Sequence, residues 1–456
     1  MILMPKLNRM KNFFTYRLFL VLLLLFFGTM GFGAIVKYHY DGGKKFQFLQ
    51  KPVMLITSVP IHIKLMIKYR TFNLNKIINK PPLLTKHKDK KRFEQFIPNK
   101  RNALLVLPRY DHSISRSVVD IVDLNNFEVI HTYKHDIAEM NDQVTNTEEF
   151  FRINIHNAPI RFEYKHPLLF NDGSLVGNGD WAPLYKIDFC SNLEWVNDEE
   201  RFHHSQNLDH KGNIWVPGHI NPKSQYVKKY SLKNYRDISI VKINTDGKML
   251  YNKSVLEILI ENNIPLQQYT LDQSNPIHLN DIEPALSDTQ YWKKGDVFLS
   301  LKNQSLIIHY RPNTNKVINY ISGPFARQHD VDVISDKEIS IFNNNNFLVN
   351  NEYSEVVIYN FETKRFRKLF NDQFKKNNFK TITAGLSHIF KDGSLMVEEQ
   401  NHGRIILFNN KGEKEWEFVN VDKNGDIGTI RWSRIIEDKL FIKQFKSLVE
   451  NKKCTN

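Results

Sequence analysis

One short unit recurs along most of this chain and limits what it can fold into. It is an apolar run, then an Asp/Asn/Lys-Gly turn, then a polar residue and a second apolar run. It appears at 168–176 around Asp172-Gly173, at 208–216 around Lys211-Gly212, at 292–299 around Lys294-Gly295 and at 389–397 around Asp392-Gly393. Each reads as a β-hairpin, because glycine supplies the positive φ that a tight turn requires. A second unit follows, an alternating strand, a polar turn and another strand, as at 305–318 and 355–366. Two hairpins make a four-stranded sheet, which is a propeller blade. The pattern starts near residue 99. The 358 residues after position 98, at roughly 45–60 per blade, leave room for about six to eight blades. The count of turn units favours six with long insertions, so the expectation is an all-β, six-bladed propeller over 99–456. One segment, 254–262, reads as helical and as an insertion.

A length of 456 residues would ordinarily suggest two or three domains, but large β architectures run well past that prior as one unit. With 41% hydrophobic and 25% charged residues the chain is neither disordered nor collagen-like. Two cysteines, Cys190 and Cys454, exclude a disulfide scaffold and a four-cysteine zinc site, and they leave the redox compartment open.

Charge is distributed unevenly. Residues 1–100 carry 19 Lys+Arg and 3 Asp+Glu, whereas 101–456 carry 44 against 46. A nucleic-acid-binding domain keeps its positive charge on the folded body. Here the body is neutral and the basic excess lies at the N-terminus, beside an apolar stretch, as in a segment next to a membrane. Residues 18–36 are uncharged and almost wholly apolar, and nineteen residues reach about 30 Å as a helix. The run is longer than a usual signal-peptide core, so the expectation is an uncleaved single-pass anchor over 1–40. Lys6, Arg9, Lys11 and Arg17 precede it and favour an N-in, C-out orientation, with the body outside the cytoplasm. Residues 41–98 read as a basic juxtamembrane tether. Within it, 52–59 and 61–67 are short apolar pieces, and Pro81-Pro82 with the run from Lys86 to Arg92 is a solvated linker.

Histidines precede the first hairpin of five successive units. His166 lies seven residues before Gly173, His204 eight before Gly212, His278 seventeen before Gly295, His329 seven before Asp336 and His388 five before Gly393. The first strand of a blade is the innermost, so equivalent positions at its start lie around one mouth of the channel, and distant histidines converge there. His39, His62, His87, His112 and His135 fall outside the register and read as surface residues. A ring of imidazoles suits three chemistries. Neutral, it binds zinc or copper; protonated, it binds an anion; or one imidazole acts as nucleophile while others hold the transferred group. The sequence has no His-Glu-x-x-His, Cys-x-x-Cys, Gly-x-Ser-x-Gly or phosphate-loop motif. Residues 422–428 begin like a calcium loop but lack the acidic twelfth position, where Ser433 stands, so they read as a polar turn.

The run Arg327-Gln328-His329-Asp330 through Ile341-Phe342-Asn343-Asn344, the run Ile277-His278-Leu279-Asn280-Asp281-Ile282 and the repeated His-to-Gly-turn units resemble the bacterial arylsulfotransferase family, over roughly 165–410. The resemblance implies a six-bladed, usually exported propeller that moves a sulfuryl group from an aryl sulfate to a phenol. It also implies that no adenylyl-sulfate cofactor is needed, and that an axial site of three histidines and an arginine works through a transiently sulfated histidine. Carried over by order, the site is His278, His329 and His388, with His388 as nucleophile, and Arg327 and His204 contact the substrate. The family's arginine should follow Asn344. The stretch 343–360 has none, which leaves Arg327 or Arg404 as substitutes. Two readings compete with the enzyme: a non-catalytic, membrane-tethered binding or assembly platform, and a histidine-based metal-binding propeller.

Overall fold

The structure, a computed structural model, describes residues 4–40, 81–98, 101–151, 153–221, 223–229, 235–265, 274–345 and 353–454. The apolar pieces at 52–59 and 61–67 lie outside the described residues. Contacts divide the chain into two units, 1–79 and 80–456. In the first, helix α1 (Met4–Tyr40) contains Tyr16–Val36, which is long and apolar enough to cross a membrane; an anchor and a signal sequence share that property.

The second unit is a ring of six antiparallel sheets. Blade 1 has Leu104–Asp111, Arg116–Asp123 and Glu128–Tyr133. Its innermost strand, Arg434–Ile436, comes from the far end of the chain and pairs with Leu104, Leu105 and Val106, which closes the ring. Blades 2 to 6 each use four consecutive strands and begin from the channel at Lys165–Leu169, Asn207–Leu208, Leu279–Pro284, Val331–Val333 and Ser387–Ile389. The turn glycines Gly173, Gly212 and Gly393 have φ of 81°, 78° and 83°, as the hairpin reading requires.

Blades stack face to face, so a strand near the channel is buried on both sides. Alternate side chains then enter two different cores. Leu104 and Val106 pack between blades 1 and 2, while Leu105 and Leu107 of the same strand pack between blades 6 and 1. Each of the six blade interfaces holds one such apolar cluster. Outermost strands alternate instead, as in Lys316–Ile321, because one face meets water.

Two sequence expectations change here, the tether and the surface histidines, and the structure adds a disulfide. Residues 81–98 are no tether: Phe93–Gln95 adds a fifth strand to blade 6, and His87 is buried against Glu399 at 3.0 Å. The charge pattern hid this, because the lysines of that run are met by acids far away in sequence, such as Lys86 by Glu399 and Lys90 by Glu417. His112 and His135 are likewise buried rather than surface residues. The cysteines are paired: Cys190, in the outer hairpin of blade 2, is bonded to Cys454, 264 positions later. The bond fastens the end of helix α2 (Lys439–Asn451), which buries Ile442 and Phe445 in the core shared by blades 1 and 2. The helical insertion stands, as Val255–Glu261 capped by Ser254. Residues 422–426 form a turn in which Asp422 accepts the backbone N–H of Asn424 and Asp426.

Candidate active site

The inner strands enter the channel through a repeated left-handed residue, with positive φ at His166, His204, His278, Arg327, Ala384 and Trp432, one in each blade. A non-glycine residue there carries a conformational cost that surrounding contacts must offset. It turns the chain sharply and aims side chains at the axis.

Around one mouth this brings His204, His278 and His329 together. The His204 ring centroid lies 5.3 Å from His278 and 6.2 Å from His329, and Trp432 lies 6.1 Å from His204 and 6.3 Å from His329. His204 is the hub of the group. Its Nδ1 is 2.7 Å from Nδ1 of His203, so one of the two donates to the other.

Neighbouring amides fix the tautomers of the other two rings. Asn344 Nδ2 donates to the carbonyls of Thr381 and Ala384, which leaves its oxygen to accept from His329 Nδ1 at 2.6 Å. Nε2 of His329 then accepts the backbone N–H of Ala384 at 2.9 Å. Asn275 accepts the backbone N–H of His278 and donates to its Nδ1 at 2.8 Å, so His278 carries its proton on Nε2. Burial holds all of these imidazoles neutral. His203 and His329 are pushed down to about 3, and His204 and His278 well below their usual value, with Lys165 and Lys302 adding positive field. Arg327, two residues before His329, is half-buried, and its backbone N–H donates to Ser305 Oγ at 3.2 Å. Among the described residues, no set of three or more His, Cys, Asp or Glu side chains is arranged to hold a metal ion.

The structure does not bring His388 to this group. Ladder register explains why. His388 pairs with Met396 as Asp332 pairs with Ser340 and Asn207 with Trp215. His329 and His204 each precede those equivalents by three residues, roughly 10 Å along a strand. His388 instead lines a cavity of about 360 Å³ further down the channel, with His166, Glu283, Asp330, Asp332 and Arg434. Its Nε2 is 3.5 Å from Glu437. His166 stacks edge-on against Trp432 at 5.6 Å and also faces this lower cavity. Arg404 is not at either place; it is buried in blade 6 against Glu399 at 2.7 Å and Glu417 at 3.5 Å. Sequence reading missed His203, Asn275 and Asn344. Their signal was adjacency to the site histidines or to the conspicuous Asn343-Asn344 pair.

A model of the arylsulfotransferase family (ASST) matches residues 166–421, more than half of the chain. No curated protein matches it. Among solved structures it is similar to a protein of unknown function from Bacteroides caccae, with 11% identity over 74% of this chain and 99% of that one, at a TM-score of 0.47. A nidogen/laminin complex is similar at 8% identity over 74% and 99%, with a TM-score of 0.41. Virginiamycin B lyase from Staphylococcus aureus is similar at 8% over 59% and 94%, with a TM-score of 0.33. Likeness of this order says nothing about what the site does.

Proposed function

The chain belongs to the arylsulfotransferase family, and on that premise we propose that it transfers a sulfuryl group from an aryl sulfate to a phenol through a sulfohistidine at His204. The observation that carries this reading is the hub position of His204. It is a neutral, half-buried imidazole in ring contact with His278 and His329, backed at Nδ1 by His203. If His204 Nδ1–H donates to His203, the lone pair sits on Nε2 and is free to attack. An N–S bond then forms as the ester O–S bond breaks, and the phenolate leaves with the electron pair. The Nε2–H of His278 and the guanidinium of Arg327 supply donors for the sulfuryl oxygens. Sulfation acidifies His204 Nδ1–H, and His203 is placed to take that proton. The acceptor phenol then attacks sulfur and the N–S bond breaks. The acceptor's proton balances the one taken up by the first phenolate, so the enzyme returns unchanged.

His329, fixed by Asn344 and Ala384, orients the group and completes the polar wall. Arg327 stands where the family's arginine is absent from 343–360. His388, the nucleophile expected from sequence order, faces carboxylates and not the imidazole group. Incubation of the full chain with 4-nitrophenyl sulfate alone tests the assignment: a peptide containing His204 should gain one SO₃, and His204→Asn should abolish both the label and turnover. A label on His388 would overturn it.

We further propose a propeller domain that begins near residue 81 and lies outside the cytoplasm, tethered by α1. The Cys190–Cys454 bond supports this placement, because disulfides persist in oxidising compartments.

A further inference from the structure

Between blades 2 and 3 lies a second cavity, of about 220 Å³, roofed by the insertion that joins blades 1 and 2. Its walls include Phe150, Trp181, Arg201, His219 and Arg236. Arg201 is already occupied: its Nε is 2.6 Å from Glu149 Oε1, and the other Glu149 oxygen accepts from Asn221 at 2.5 Å. That carboxylate is neutralised. Arg236 lies over the Trp181 ring at 5.1 Å, and among the described residues its guanidinium has no hydrogen-bond or ion-pair partner. Both ring nitrogens of His219 are buried with no partner. Burial, with Arg201, Arg236 and Lys223 nearby, lowers its pKa to about 4, so it stands neutral with one N–H to donate.

The ring nitrogens of His219 are buried without partners, which is costly unless a bound group meets them, while Arg236 is exposed beside them and keeps its guanidinium open to a ligand. A partner that accepts hydrogen bonds and carries negative charge suits both. The aromatic walls select a flat, apolar body for the rest of it. The cavity also touches the histidine group. Trp181 is 4.5 Å from His203, whose ring bonds His204.

We propose that this cavity is a subsite for a small aromatic anion, which sets its acid group on Arg236 and His219 and its ring against Trp181 and Phe150. The reading of the protein as an arylsulfotransferase supplies the particular acid, a sulfate ester, and so makes the occupant the aryl sulfate or a product of its class. Arg236 and Trp181 are binding residues of this subsite and take no part in the transfer at His204.

The test uses benzenesulfonate, whose C–S bond cannot be transferred, titrated into the detergent-solubilised full chain by calorimetry. Arg236→Ala should weaken binding at least tenfold, and Arg236→Lys, which keeps the charge, should recover most of it. Trp181→Leu should weaken it to a similar degree, whereas His329→Asn should leave it within about threefold. Inorganic sulfate should bind at least tenfold more weakly than benzenesulfonate. An unchanged affinity in Arg236→Ala overturns the proposal. So does loss of binding in His329→Asn, which would move the ligand into the histidine group, and so does equal binding of inorganic sulfate. Binding that follows the expected pattern while 4-nitrophenyl sulfate is never turned over would sink the sulfotransferase reading and leave this subsite standing.

Discussion

The two ends of the central channel are built from the same six strands and carry opposite chemistry. At one mouth, half-buried His204 and His278 and buried His329 are bases held neutral. Lower down lie four acids, Asp281 and Asp330 buried and Glu283 and Asp332 half-buried. Burial raises Asp281 to about 7 and Asp332 to about 6, and pushes Glu283 and Asp330 well up. Part of this acid layer is structural, because Asp281 accepts the N–H of Val331 and Asp330 the N–H of Ser387, each stitching one blade to the next. Arg434 lies among the acids but donates to the carbonyls of Gln206 and Pro167. A shift of three residues along one strand therefore separates a layer of neutral imidazoles from a layer of acids that ties blades together. The comparison teaches that repeat phase, and not residue type, assigns a role in a propeller channel.

The contrast breaks most visibly by mutation of the upper layer. On the proposed role of His204 as nucleophile, rather than as one electrostatic helper, His204→Asn should lower turnover of an aryl sulfate by at least about 10³-fold. Steady-state rates with added phenol measure this, and a variant within tenfold of the parent would remove His204 from the chemistry.

Next in size is the clamp on the lower layer. Helix α2 carries Phe441 into the lower cavity and is fastened by Cys454. Cys454→Ser should cost about 2–4 kcal/mol of stability, read as a lower melting temperature than that of the disulfide-bonded parent under non-reducing conditions. Turnover at 25 °C should be unaffected, because the clamp does not reach the upper group.

The two layers should also respond to pH in opposite senses. A base whose folded pKa lies below its unfolded value contributes stability that is complete above about 6.5 and lost as pH falls toward the folded value. The upper histidines therefore weaken the fold in acid. An acid whose folded pKa is raised contributes stability that is complete below about 4 and lost as pH rises through the folded value, here about 6 for Asp332. Asp332→Asn, a neutral mimic, should stabilise the protein by about 1 kcal/mol at pH 8 and leave it unchanged at pH 4. Urea midpoints at the two pH values decide it; equal gains at both would mean that Asp332 is not held protonated in the fold.

The smallest effect sharpens the comparison. His388→Asn should keep turnover within about threefold of the parent, because His388 meets Glu437 and the acid layer rather than the sulfuryl site. Abolition of transfer in this variant, with His204→Asn active, would return the nucleophile to the lower layer.

Much of this was legible without coordinates. Asp-Gly and Lys-Gly turns flanked by apolar runs specify hairpins locally, and their repetition specifies blades, since no blade buries its faces alone. His278 and His329 were likewise readable from the runs around them. The position of His388 was not, although its spacing held the clue: five residues to its turn glycine against eight for His204. That odd difference of three places a side chain on another level and another face. The lysine-rich run 86–92 misled for a different reason, because a charged stretch is solvated only if no distant carboxylate meets it.

By itself the sequence determined what is local or periodic: the hairpins, the blade count, the apolar span near the N-terminus and the presence of histidines at the start of five of the six inner strands. Only the tertiary structure decided what depends on closing the ring. It paired Cys190 with Cys454, gave blade 1 its inner strand from Arg434–Ile436, buried His87 on Glu399 and set His203 against His204 at the centre. The physical reason is that strand pairing and turn preference are short-range, whereas the depth of a side chain in the channel depends on ladder register and on bulges. In blade 4, for example, the register shifts between Leu279 and Asp281, one step beyond His278. Such a shift is set by the packing of two neighbouring blades.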